Sequence, residues 1–300
     1  MRAYKVVDVF SDRPFKGNPV AVVLDAEGLD DGAMQAIARW TNLSETTFVL
    51  PATQAGADYR LRIFTPKREL PFAGHPTRGS AHAVLEGGRY RPKNGVLVQQ
   101  CLQGLVRIAV EGEGKSRQLV FDLPDASITP LAPADVEELE AIAGISIMRR
   151  AAPAIIDVGA VWVVAQVANA DVLLGAEPDL AHSARFENRL GVTGITLFGD
   201  HGHGEAEIEV RTFAPSCGCE EDPVCGSGNG AVAVFRHTRG LLAAQGGTNR
   251  YSATQGQRVG RDGRIAVEVD AHGKVRVGGA CVTLGGGTLR GQQTLRVLGV

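Results

Sequence analysis

The sequence lacks the features that would direct it to a membrane, a nucleic acid or an oxidising compartment. Cysteine is sparse and odd in number, 5 in 300 residues. That is no disulfide framework, and it suits a reducing compartment. A basic field is missing as well: 31 Lys and Arg stand against 33 Asp and Glu, a formal net charge of -2. Electrostatic attraction to nucleic acid or to anionic lipid is therefore not expected. Long apolar runs are absent. The longest, residues 151–170, is interrupted by Asp157, Gln166 and Asn169, whereas a spanning helix needs about 20 clean residues. The opening MRAYKVVDVF carries polar groups throughout and does not read as a signal peptide. No membrane partner and a cytoplasmic location are the expectations. Aromatic residues are also few, at 5%.

Glycine, by contrast, is abundant. There are 38 in 300 residues, against a usual share of about 7%. With 44% hydrophobic and 21% charged residues, the mix is that of a globular protein with many turns and short strands. The length suggests two domains of roughly 150 residues. Runs at 5–10, 19–24, 46–50, 59–65, 96–100, 106–110 and 118–121 read as strands. A helix follows Asp30 or Asp31, with Met34, Ile37, Ala38 and Thr41 on one face. An Ala-rich helix spans 77–85, ended by Gly87 and Gly88. Pro124, Pro130 and Pro133 make 124–133 a linker. Beyond it, Val136, Leu139 and Ile142 have helical spacing. Strands follow at 155–158, 161–167, 195–198, 208–213, near Tyr251, and at 265–269, 274–277 and 282–284. The segment 231–237 reads as a buried helix. This is an α+β pattern of antiparallel strands with one conspicuous helix per half.

The halves resemble each other. Arg62-Ile-Phe64-Thr-Pro66 is matched by Arg211-Thr-Phe213-Ala-Pro215, and in both a glycine turn then opens an apolar helix. The turns are Ala73-Gly74-His75-Pro76 and Cys225-Gly226-Ser227-Gly228. Their distance from the proline differs by a three-residue insertion in the second copy. A glycine turn at a helix start exposes backbone N–H groups at the positive end of the dipole, a ready anion site. Two such turns facing one cleft would hold a carboxylate without Lys or Arg. The plainer alternative is that these glycines only allow close packing of helix on sheet.

The strings VDVFSDRPFKGNPVAVV, TNLSETTFVL, IFTPKRELPFAGHPT, RTFAP, EDPVCGSGNG and GRI…VRVGG…V stand in this order along the chain. They resemble the phenazine-biosynthesis isomerase-like (PhzF-like) family, and the resemblance runs from residue 3 to about 290. The resemblance implies the diaminopimelate epimerase fold: two pseudo-symmetric domains, each a curved antiparallel sheet wrapped on a central helix, with the site between them. The domains would be 1–123 and 134–290, with a strand at 291–300 returning to the first. A homodimer and cofactor-free proton transfer are also implied. The family's base carries over to Glu45 of N-x-S-E-T, and its assisting groups to His75, Asp222 and Ser227. Asn18, Gly74, Cys225 and Gly226 would line the substrate.

Read from the residues alone, each of these has a plainer role. Glu45 could cap a turn, His75 could fix a helix start, Asp222 could cap the turn before Pro223, and Ser227 could be an N-cap. In an apolar cleft, however, a carboxylate's pKa rises toward the range of a general base. Aligning the repeat sets LSETTF on VTGITL, with Gly194 where Glu45 stands, so that one half alone carries a base. Cys225 departs from the phenazine pattern and matches one of the two thiols of proline racemase-type relatives, whose other thiol aligns with Ala73. Cys225 is either a second acid/base or a buried space-filler. Cys217, Cys219 and Cys225 with His201 and His203 lack zinc spacing, so no metal is expected. The leading expectation is a cofactor-independent isomerase or epimerase of a small carboxylate. The alternatives are a Glu45/Cys225 two-base racemase, epimerase or dehydratase, and a non-catalytic binding relative.

Overall fold

Short β-branched runs between glycine turns give eighteen strands and six α-helices among the described residues, which are 1–112, 114, 117–242 and 247–290 of this computed structural model. The first half runs β1 (Arg2–Val9), β2 (Asn18–Val23), α1 (Asp31–Thr41), β3 (Glu45–Leu50), β4 (Tyr59–Phe64), β5 (Glu69–Leu70), α2 (Gly74–Glu86), β6 (Val96–Cys101), β7 (Gly104–Glu111) and β8 (Gln118–Asp122). The second begins with β9 (Ser127–Pro130), α3 (Pro133–Ala143), β10 (Ala154–Asp157), β11 (Val161–Gln166), α4 (Ala170–Gly175) and α5 (Leu180–Leu190). It continues β12 (Gly194–Asp200), β13 (Ile208–Ala214), β14 (Cys219–Asp222), α6 (Gly226–Thr238), β15 (Asn249–Gln255), β16 (Gly263–Val269), β17 (Val275–Gly278) and β18 (Cys281–Leu289).

The pairing repeats strand for strand. β1–β2 is antiparallel, β2–β3 parallel, β3–β4 antiparallel and β4–β6 parallel. β10–β11, β11–β12, β12–β13 and β13–β15 follow the same sequence of senses. The sheets are therefore mixed, and the expectation of purely antiparallel sheets is corrected. The cause is the crossovers. α1, α2, α6 and the α4–α5 pair each join two strands that run the same way, and such strands cannot be joined by a tight hairpin. The halves meet where β8 pairs with β17 through Phe121 and Val277.

Each half also has an outer strand that the sequence pattern places elsewhere. Cys281–Leu289, which the sequence reading kept with the second half, pairs along β1. Ser127–Pro130, inside the expected linker 124–133, pairs with β10. These four residues are exposed, but Leu131 directly after them is 7% exposed and joins the core of the second half. The expected return strand at 291–300 lies outside the described residues. No helix among the described residues is long and apolar enough to cross a membrane.

α2 and α6 are enclosed by their sheets, which explains why neither shows a clean amphipathic stripe. α6 is wrapped on Ala231, Val232, Ala233 and Phe235. α2 is more polar, and several of its polar groups are partnered. Ser80 hydrogen-bonds Thr47 at 2.7 Å, and Gln99 donates to Thr77 at 3.0 Å while accepting from Tyr59 at 3.0 Å. α1 is capped as expected, with Asp30 accepting from the Ala33 N–H, and it buries Met34 and Ala38. The sequence reading missed α5, whose buried face mixes Phe186 with Ser183 and Glu187. Glu187 is buried yet accepts from Ser183 and from the Ser216 N–H.

Gly79 lets α2 lie against β1 and β2. A Cβ there would come within 2.3 Å of Val20 Cγ1 and 2.9 Å of Val9 Cγ2. Overpacking of this kind costs about 1–3 kcal/mol. Gly79→Ala is expected to lower the urea midpoint accordingly with an unchanged slope, and a wild-type midpoint would show that the contact is relieved at no cost.

Candidate active site

α1 ends at Asn42 in the left-handed conformation (φ 54), and this turn delivers Glu45 as the first residue of β3, beside Val20 of β2. His75 lies in the first turn of α2. Glu45 Oε2 and His75 Nε2 are 3.5 Å apart, with side-chain exposures of 15% and 8%. Neither atom has a hydrogen-bond partner. The His75 ring bonds the Pro19 backbone, which can only accept, so the ring's other nitrogen is the donor and Nε2 carries a lone pair. Burial lowers His75 to about 3 and keeps it neutral. Burial, reinforced by the charge of Asp222, raises Glu45 to about 8. A neutral carboxyl opposite a ring lone pair is a compatible pairing. A carboxylate there would face it repulsively.

Asp222 ends β14 and is raised to about 6 by burial, against hydrogen bonding at the Val224 backbone. Its Oδ1 accepts from Asn18 Nδ2 at 2.8 Å and from the Val224 N–H at 3.0 Å. Asn18 is fully buried and also donates to the Val224 carbonyl. Asn18, Glu45, His75 and Asp222 are thus brought to one place from both halves. Cys219, considered in the sequence only as a metal ligand, belongs near them, since the charges of Asp222 and Glu45 add to burial in pushing its thiol up.

The two glycine turns converge. Gly74 packs against the Phe121 ring and Gly226 against the Phe10 ring, so closely that a Cβ would meet them at 3.4 and 3.0 Å. Between those rings lies the Arg78 guanidinium, 4.5 Å from the Phe10 centroid and 5.0 Å from that of Phe121. α2 has no side-chain cap. α6 is capped by Cys225, whose Sγ accepts from the Gly228 N–H at 3.3 Å. Burial pushes the Cys225 thiol well up. Ser227 accepts from the Trp162 indole at 3.2 Å and lies 3.6 Å from Cys225 Sγ. Gln255, which the sequence gave no reason to select, braces this loop. It accepts from the Cys225 N–H and from Asn229, and it donates to the Asp222 carbonyl.

The registers test the internal alignment. Phe64 pairs with Thr46, and Phe213 with Ile195. The residue preceding each is Glu45 and Gly194, so the two are equivalent. Gly194 could not carry a side chain: its Cβ would meet the Phe213 carbonyl oxygen at 2.1 Å and the Trp162 ring at 2.9 Å. The repeat extends to a salt bridge. Arg62 is bidentate on Glu69 and Arg211 on Glu221, each beside a phenylalanine ring, Phe64 and Phe213.

Comparison with known proteins finds relatives along nearly the whole chain. The family model described as phenazine biosynthesis-like protein matches residues 7–287. Antisense-enhancing sequence 1 of Schizosaccharomyces pombe is 41% identical, over 89% of this chain and 90% of its own. An uncharacterized isomerase of Mesorhizobium japonicum is 34% identical over 96% and 98%. The trans-2,3-dihydro-3-hydroxyanthranilate isomerase of Pseudomonas fluorescens is 33% identical over 96% and 99%. Among solved structures, the Bacillus anthracis phenazine biosynthesis protein of the PhzF family matches with TM-score 0.85 and 24% identity, covering 95% and 97%. A hydroxyproline epimerase of Agrobacterium vitis shares the fold at TM-score 0.62 and 14% identity, over 96% and 93%.

The raised Glu45 carboxyl has a consequence for stability. Its folded pKa, about 8, lies above its ordinary value of 4.5, so the fold favours the protonated form. That contribution is fully present below pH 4.5 and is lost as pH rises through 8. Glu45→Gln keeps a neutral group at all pH. The variant is expected to gain about 1–2 kcal/mol on wild type between pH 5 and pH 8, a figure reduced from the full shift because Glu45 is partly exposed. Parallel urea curves at the two pH values check this, and a constant difference would show that Glu45 ionises normally.

Proposed function

The chain belongs to the phenazine biosynthesis-like protein family, whose relatives are named isomerases, and on that premise we propose that it is a cofactor-independent isomerase or epimerase of a small carboxylate metabolite, with Glu45 as the base. The observation that carries this reading is the shielded Glu45 carboxyl, raised to about 8, facing the lone pair of a neutral His75 across 3.5 Å. Such a group releases and recovers a proton near neutral pH, as a general base must.

The substrate carboxylate would lie against the first turns of α2 and α6, where the Gly74 and Gly226 ends supply backbone N–H groups and partial positive charge. The ionised Glu45 takes a proton from an activated C–H bond of the substrate, and the electron pair moves toward the substrate's conjugated acceptor. Glu45, now neutral, returns the proton to another carbon or face, so the reaction neither gains nor loses atoms. His75 Nε2 accepts from the protonated carboxyl between these steps. Asp222, fixed by Asn18, holds its charge near Glu45 and keeps the base strong. We read the two halves as domains whose cleft holds the substrate.

The two-base alternative is less favoured by the position of Cys225. Its sulfur is occupied in capping the helix, and burial opposes the thiolate. A non-catalytic role is set aside because the relatives are named isomerases.

trans-2,3-Dihydro-3-hydroxyanthranilate, the compound in the name of the Pseudomonas fluorescens relative, is the first candidate substrate. Solvent deuterium uptake into it or a related carboxylate is expected, with kcat/KM rising toward pH 8. Glu45→Gln should lower turnover by about 10²–10⁴-fold while keeping ligand affinity. Near wild-type exchange in that variant would remove Glu45 from the mechanism. Cys225→Ser is expected to stay within about tenfold of wild type, equivalent to about 1.4 kcal/mol. A larger loss with an intact circular dichroism spectrum would establish the two-base reading instead.

A further inference from the structure

Away from the Glu45 cleft, a cavity of about 510 Å³ opens between β13, β15 and the segment 257–264. That volume lies within the usual range for small-molecule sites, about 300–1,000 Å³. Its buried wall carries Glu209, a charged residue only 3% exposed on a strand otherwise rich in Ile208, Val210 and Phe213. The hydroxyl of Thr254 hydrogen-bonds Glu209 Oε2 and lies 2.9 Å from His201 Nε2. A threonine hydroxyl has one proton. If it donates to Glu209, the His201 ring must be the donor to it. The chain His201 to Thr254 to Glu209 is then complete at Oε2, which also lies 3.5 Å from His201 Nε2, and Glu209 Oε1 is left buried with no donor. A buried acceptor without a partner is costly, so the site is one donor short.

Two observations define what would supply it. Among the described residues no group of three His, Cys, Asp or Glu side chains is placed to hold a metal ion, and the near nitrogen of His201 is already spent on Thr254. An ammonium group, with three N–H donors, suits the open oxygen. At the opposite rim the charge reverses. The Asp262 carboxylate is taken by Arg13 and Arg264. Arg261 lines the same cavity, bonds only the Phe15 carbonyl, and has no carboxylate partner among the described residues. A cavity with a carboxylate oxygen short of a donor at one end and a guanidinium without a carboxylate at the other is matched by a molecule carrying both charges. We propose that this cavity is a second ligand site, which takes a small zwitterion of the amino-acid type with its ammonium group on Glu209 and its carboxylate on Arg261. The site shares β15 with the Glu45 cleft, because Thr254 is followed by Gln255, the residue that braces Asp222 and Cys225.

The test is isothermal titration of the full chain with L-lysine, L-leucine and L-glutamate, each beside its Nα-acetyl derivative. At least one free amino acid is expected to bind with a dissociation constant of millimolar or tighter, and its acetylated form at least tenfold more weakly. Glu209→Gln should weaken that binding at least tenfold and Arg261→Met by a similar factor. Glu45→Gln should leave it unchanged, which separates this site from the cleft. Circular dichroism and the urea midpoint establish that the Glu209 and Arg261 variants are folded, and Arg261→Met alone decides the matter should Glu209→Gln unfold. No binding by any of the three amino acids, binding unaffected by both substitutions, or binding lost in Glu45→Gln would each overturn the proposal.

Discussion

A buried guanidinium at the seam sets the relation between the halves. Arg78 projects from α2, is fully buried, and donates from Nε to the Leu119 carbonyl of β8 and from Nη2 to the Val277 carbonyl of β17. Those are the strands through which the halves pair. No carboxylate balances it among the described residues, and burial lowers it to about 10, still high enough to remain charged at neutral pH. Two aromatic faces and two carbonyls replace the water it loses, an environment in which cation–π attraction is strongest. The same rings rest on Gly74 and Gly226, so the stack also fixes the separation of the helix starts. Counting along the repeat, the residue equivalent to Arg78 in α6 is Gly230, where a Cβ would come within 2.0 Å of Leu123. One helix reaches across the seam and the other gives way.

The duplicated scaffold is used unequally throughout. Equivalent strands carry equivalent Arg–Glu pairs and equivalent glycine turns, yet only the first half has a carboxyl at the start of the repeat's third strand. Where the first half has Glu45, the second has Gly194 packed under Trp162, and that indole reaches Ser227 at the α6 turn. Phe10 shows the local cost of closing the site. It holds φ 66, a conformation that costs a bulky residue about 1–3 kcal/mol, and it is kept there by backbone bonds to Ala280 and Arg264. In exchange its ring covers both Gly226 and Arg78.

The parts of this design that are local in sequence could be read from the sequence. The glycine turns, the Asp30 cap, the RxFxP repeat and the Glu45–Gly194 equivalence all rest on spacings of a few residues. What depended on distant partners could not be read. The sense of β2 relative to β3 follows from how α1 crosses between them, and a strand's own residues carry no mark of it. Ser127–Pro130 looked like a linker because Pro124, Pro130 and Pro133 punctuate the segment and few of its residues are large and apolar. Arg78 and Gln255 look like ordinary polar residues until the strands around them are placed. α5 escaped because its buried Glu187 breaks the apolar stripe, and the partners that satisfy it lie at Ser183 and Ser216.

The pairing of β1 with β18 has a consequence for how the protein is made. β1 leaves the ribosome about 270 residues ahead of the strand that covers its outer side, Cys281–Leu289. At about 5–20 residues per second, the edge of β1 waits on the order of 15–60 s for its partner. During that time its unpaired N–H and C=O groups are open to another nascent chain. The first half therefore cannot complete its sheet as an early, separate folding event, and a chain interrupted before residue 281 is left with a sticky edge.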